Sequence, residues 1–154
     1  VQTRSLFRGA LVLDAMFRRF RALSPSTPLR AALDELLSNH QRDFPVMARG
    51  QLIGVLHRAD LLSAVAQGRR DASVGEVMDR DFQFVEAAMP LDQAFTIIQQ
   101  TGRSMLPVLD GHDLVGVLTS DNVEEWLMVR SALHHRSGGD GREVTPRYAD
   151  SLPA

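Results

Sequence analysis

The sequence overlays on itself at a displacement of 62 residues, so that residues 12–65 fall on 74–127 with no gap. Thirteen of these 54 pairs are identical, from Val12/Val74, Met16/Met78 and Pro28/Pro90 through Pro45/Pro107 to Gly54/Gly116, Val55/Val117 and Leu56/Leu118. Other pairs keep their character, among them Asp14/Glu76 and Leu36/Ile98. A duplication this regular constrains the fold strongly. Both copies must form the same supersecondary unit, and a unit of this size buries too little surface alone, so the two are expected to pack on each other.

The local pattern is the same in both copies. In the first, Phe20 to Leu23 is a short apolar stretch followed by the turn-forming Ser24-Pro25-Ser26-Thr27. Thr27 is placed to cap a helix that starts at Pro28, where a missing N–H costs nothing. Leu29, Ala32, Leu33, Leu36 and Leu37 share one face of that helix. Phe44 to Met47 predicts a strand, Arg49-Gly50 a turn, Leu52 to Leu56 a returning strand, and a second helix starts near Asp60. The second copy repeats the order. Phe82 to Val85 is the first strand and Pro90 starts a helix carrying Leu91, Ala94, Phe95 and Ile98. Leu106 to Leu109 and Leu114 to Leu118 flank an Asp110-Gly111 hairpin signal, and a last helix runs from near Asn122 to about His135. Each unit is β-α-β-β-α, an α/β (α+β) fold, with repeats expected at 12–66 and 74–130.

Outside the repeats, residues 1–11 are expected to be a helical lead-in, with apolar residues that extend the helix toward Met16. Residues 137–154 have no apolar period and are expected to be disordered. The chain opens on Val1 without a signal segment, which suggests a domain cut from a longer protein. The formal charge of −2 argues against a nucleic-acid binder, and Arg18, Arg19 and Arg21 read as a solvated strand edge. No apolar run is long enough to span a bilayer. The absence of cysteine excludes disulfides and thiolate zinc sites and is compatible with a cytoplasmic location.

Signatures of catalysis are missing: there is no G-x-S-x-G, HExxH, P-loop or C-x-x-C, and the five histidines have no ligand spacing, so neither catalytic nor metal-binding residues are assigned. His57 and Asp60 lie three apart at a helix start but have no nucleophile or oxyanion hole beside them. One polar turn is repeated, Gly54-Val55-Leu56-His57-Arg58-Ala59-Asp60 and Gly116-Val117-Leu118-Thr119-Ser120-Asp121-Asn122. A strand running straight into a helix presents free N–H groups and a positive helix end to an anion. There Asp60 and Asn122 have two readings, as simple N-caps or as acceptors for the hydroxyls of a ribose.

The element order, the hydrophobe-Pro-Val strand starts and these turns resemble the CBS domain, and two in tandem resemble a CBS pair, or Bateman module, over residues 12–130. The resemblance implies two repeats packed about a pseudo-twofold axis, with clefts that hold AMP, ADP, ATP or S-adenosylmethionine, and no covalent cofactor. It places Asp60 and Asn122 at the ribose and Thr119 and Ser120 beside the phosphate, with His57 and Arg58 in the matching place of the first copy. It places Arg42, Asp43, Phe44 and Pro45, with Ser104, Met105, Leu106 and Pro107, along the base or phosphate, and Phe20 and Phe82 in the apolar walls. His57 stands where the family has Thr or Ser, and Asn122 where it has Asp. The stretches 8–16, 43–46 and 122–128 further resemble the C-terminal CBS pair of bacterial site-2-protease-type zinc metalloproteases. The implied function is that of a regulatory module rather than an enzyme, sensing a nucleotide and controlling a membrane domain in cis. The alternative is a structural dimerisation module with degenerate sites, a homodimer formed through helices bearing Trp126, Leu127 and Met128.

Overall fold

The computed structural model describes residues 6–138, with side chains to residue 133. The first repeat contains α1 (Val12–Ala15), α2 (Leu29–Ser38), β1 (Phe44–Ala48), β2 (Gln51–Leu56) and α3 (Arg58–Ala66). The second contains α4 (Val74–Val77), β3 (Val85–Glu86), α5 (Leu91–Thr101), β4 (Leu106–Asp110), β5 (Asp113–Leu118) and α6 (Ser120–Gly138). The chain is therefore an α/β fold of two equivalent units.

Each unit is centred on a hairpin. β1 and β2 are antiparallel with Phe44 opposite Leu56, and β4 and β5 repeat this with Leu106 opposite Leu118. Both registers shift at the same place in the repeat, after Val46 and after Val108. Arg49 and Gly50 have φ of 53° and 76°, the pair of left-handed residues that a tight hairpin turn requires. The strands expected from Phe20 and Phe82 are much reduced. β3 pairs parallel with β4 through Val85 and Glu86, and its counterpart is a single bridge between Leu23 and Val46. Phe20 and Phe82 instead pack, half-buried, against Val55, Met105 and Val117 where the units meet.

The lead-in is not one helix. Gly9, at φ 76°, breaks it after Phe7, and α1 is a separate short turn of helix; residues 1–5 lie outside the described residues. Thr27 makes no cap: its carbonyl accepts the Val74 N–H at 2.8 Å, and Pro28 takes the N-cap position. α6 runs through Gly138, two residues into the segment expected to be disordered, and the rest of that segment lies outside the described residues.

The units exchange their opening segments. Phe7, Ala10 and Val12 are buried with Leu91, Ala94, Leu106 and Leu118 in the core of the second unit. Val74 and Met78 are buried with Leu29, Phe44, Leu56 and Leu61 in the core of the first. Paired backbone hydrogen bonds hold each crossing, Phe17 with Val117 at 2.8 and 3.0 Å and Asp79 with Val55 at 2.8 and 3.0 Å. Since Phe17 and Asp79 are equivalent, as are Val55 and Val117, these are one contact made twice about a twofold axis. The crossing also explains two glycines. A Cβ at Gly54 would stand 2.7 Å from Met78 Sδ, and one at Gly116 2.7 Å from Met16 Sδ.

Candidate functional site

A cavity of about 530 Å³ opens between the units, within the range of pockets that hold small molecules. One wall is made by Phe17, Arg19, Arg21 and the loop from Asn39 to Asp43; the other is made by Ser104, Met105 and the start of α6. The Gln41 side chain ties the first wall together. Its Oε1 accepts the Arg21 N–H at 2.7 Å, and its Nε2 donates to the Arg21 and Asp43 carbonyls at 2.8 and 2.9 Å. A wall fixed in this way is formed before any ligand arrives, which lowers the ordering cost of binding.

Arg19, Arg21 and Arg42 give the cavity a basic rim. Arg21 lies 3.7 Å from Glu35, a loose and exposed ion pair worth little in water. Opposite the arginines, the N-terminus of α6 presents Thr119, Ser120 and Asn122. Asn122 Oδ1 accepts the Thr119 N–H at 3.2 Å, and the Asn122 N–H donates to Thr119 Oγ1 at 3.1 Å. That reciprocal pair is a capping box in which Thr119 is the N-cap and Asn122 the third helical residue, so Asn122 supports the helix start without being its N-cap.

Asp43 forms the floor. It is 6% exposed, and its carboxylate accepts the Arg58 N–H at 3.1 Å and the Ser104 hydroxyl. His57 Nδ1 stands 3.6 Å away, an ion-pair rather than a hydrogen-bond distance. Burial pushes the Asp43 carboxyl up, but His57, Ser104 and the Arg58 amide outweigh it and hold the group below the ordinary aspartate value. His57 Nε2 is in turn 3.2 Å from Asp79 Oδ2, which Arg103 also reaches at 3.0 Å. Contact with Asp43 raises the His57 pKa most, burial opposes it, and Asp79 adds to the rise.

Of the residues proposed from the sequence, Arg42, Asp43, Ser104, Met105, Thr119, Ser120 and Asn122 are brought together in this cavity, and the others are not. Phe44 and Leu106 are fully buried in the cores of their own units, because the first residue of each hairpin strand faces inward. Pro45 and Pro107 are buried opposite Val55 and Val117. His57 is held by two carboxylates, and the Arg58 side chain is exposed. Asp60 is exposed beside a separate shallow depression with Ser63, Gln67, Arg69 and Glu76 and does not line this cavity. Trp126 and Leu127, expected at a dimer face, pack against the second core, with Trp126 stacked on Phe7 at 6.3 Å. Arg19 and Arg21 do not form a strand edge; they line the cavity. Their displacement onto Asp81 and Gln83 was the available signal, since a reversed charge and a lost charge at equivalent positions mark two clefts that differ.

The sequence profile of the CBS domain matches residues 12–67 and again 74–129. The solved structure of AcuB from Vibrio cholerae superposes with a TM-score of 0.73 at 22% identity, covering 84% of this chain and 97% of that one. CBSX2 in complex with AMP superposes with a TM-score of 0.69 at 29% identity, covering 83% and 99%. A homoserine O-acetyltransferase of Methanosarcina acetivorans is 27% identical over 122 residues, which are 78% of this chain and 22% of that enzyme. The chain thus spans about a fifth of the length of that relative.

Proposed function

The chain belongs to the CBS domain family as two copies in tandem, and from that premise we propose that it is a regulatory module that binds an adenine nucleotide in the arginine-rimmed cavity. The observation that carries this reading is the cavity itself, where three arginines on one unit face the start of α6 on the other. Guanidinium groups and helix N–H groups converging on one space suit a phosphate. The AMP complex of CBSX2, at 29% identity, supports the same class of ligand.

A ligand touching both units favours one relative arrangement of them and so controls a domain attached in cis, provided that its affinity differs between the arrangements. From the further resemblance of the sequence we propose that this domain is a membrane metalloprotease and that the module lies on its cytoplasmic side. A second role, homodimer formation through α6, is favoured by Met128, Val129 and Leu133, which are exposed by 73%, 57% and 56%.

The test is a thermal-shift screen with AMP, ADP, ATP, S-adenosylmethionine and GTP. A ligand at 100 times its Kd stabilises by about 2.7 kcal/mol, a rise of about 5–10 °C for a domain of this size. The expected result is an adenine-selective rise that Arg42→Glu abolishes. No rise with any of the five would overturn nucleotide sensing and leave the dimerisation role.

A further inference from the structure

The 62-residue displacement that relates the two units also relates two clefts, and they are not alike. Phe17, Gln41 and Thr119 of the arginine-rimmed cavity correspond to Asp79, Arg103 and His57. In the first cleft these side chains do not bond to one another across the opening. Phe17 is 45% exposed, Gln41 is tied to its own unit, and Thr119 is tied to Asn122. In the second they meet. His57 comes from the first unit, while Asp79 and Arg103 come from the second, at 3.2 and 3.0 Å from the shared carboxylate oxygen. Arg103 also donates to the Asp81 carbonyl at 3.3 Å, and the Asp81 N–H returns to Asp79 Oδ1 at 2.9 Å. The rim differs as well, with Asp81 and Gln83 standing where the first cleft has Arg19 and Arg21.

We infer that His57, Asp79 and Arg103 form a clasp between the units that shuts the second cleft, so that the chain takes one nucleotide rather than two. This rests on the nucleotide reading for its stoichiometry, but the clasp can be tested without any ligand. The clasp occupies the space that a ligand would enter, and the rim lacks the arginines that would draw a phosphate into the first cleft. Asp43 touches both sites, lining the open cavity and standing 3.6 Å from His57. The charged groups facing His57 are Asp43 on β1, Asp79 after α4, Arg103 after α5 behind Asp79, and Arg58 beside it in sequence.

Two measurements decide the matter. The first is an NMR titration of the His57 imidazole, without ligand, in the native chain and in Asp79→Asn. The clasp predicts a midpoint above the ordinary histidine value that falls back toward it in the variant. A midpoint at the ordinary value, or one indifferent to Asp79→Asn, overturns the clasp. The second is isothermal titration with ATP. One site per chain, with the same stoichiometry in Asp60→Ala, supports the inference, and two sites overturn it. If ATP does not bind at all, the nucleotide reading fails while the histidine titration still decides whether the clasp exists.

Discussion

The exchange of opening segments can be tested at Gly116. This residue lies in β5 opposite Val108, directly under the segment that crosses from the first unit. A Cβ there would stand 2.7 Å from Met16 Sδ, 2.9 Å from Met16 Cγ and 3.1 Å from the Phe17 carbonyl oxygen. The thioether can swing aside. The carbonyl cannot, because Phe17 and Val117 hold each other by two backbone hydrogen bonds at 2.8 and 3.0 Å. Overpacking of this kind costs about 1–3 kcal/mol, while replacing glycine in the unfolded chain returns roughly 0.4–1 kcal/mol. The expected net loss for Gly116→Ala is about 1–2 kcal/mol, a fall in Tm of about 2–8 °C. The assay is calorimetry with urea unfolding, on both Gly116→Ala and Gly54→Ala. The equivalent contacts at Gly54, 2.7 Å to Met78 Sδ and 3.1 Å to the Asp79 carbonyl, predict a similar loss there. An unchanged or raised Tm in both would refute the argument, since it would mean that nothing crosses these strands.

Phe44→Ala should cost about 3–5 kcal/mol in urea unfolding, because the ring is fully buried in the first core and forms no part of the cavity. If the variant instead stays stable and loses nucleotide, the ring lines the site. Stability should also have a definite pH profile. The raised His57 pKa contributes stability that is complete below the unfolded value of about 6.5 and is lost as pH rises through the folded value. The lowered Asp43 and Asp79 pKa values contribute stability that is complete above about 3.8 and is lost as pH falls through their folded values. Tm measured from pH 3 to 9 should therefore decline on both sides of that window, and His57→Gln should remove the alkaline decline; an unaltered decline would place its cause elsewhere. Asp43→Ala removes a buried carboxylate that accepts the Arg58 N–H and the Ser104 hydroxyl, and loss of hydrogen bonds to a charged group predicts a cost of about 1–3 kcal/mol, readable in the same unfolding assay.

Much of the fold was legible because a duplicated sequence supplies each signal twice. Both hairpins and the long helices α2, α5 and α6 follow from apolar spacing and turn residues that recur 62 positions later. What escaped was set by contacts between the units. The first strands shrank because Phe20 and Phe82 are drawn to the contact between the units, and no local pattern announces that. The lead-in carried its own warning, Gly9, but an apolar period across it argued for continuity. The site was partly legible. Arg42 just before β1, and Thr119 and Ser120 just after β5, are polar residues beside apolar strands. Phe44 and Leu106 were misplaced because alternation along a strand says which residues share a face, and only the packed unit says which face is the core. The arginines at 19 and 21 gain their meaning from tertiary placement, since they point at a cavity whose other wall lies about 100 residues away in sequence.

Hydrogen exchange followed by mass spectrometry, with and without saturating ATP, tests most directly which cleft this module uses. The account predicts slowed exchange in 17–21, 41–43 and 119–122, and unchanged exchange in 57–60, 79–83 and 101–103. Protection confined to the second set, or spread equally over both, would contradict it.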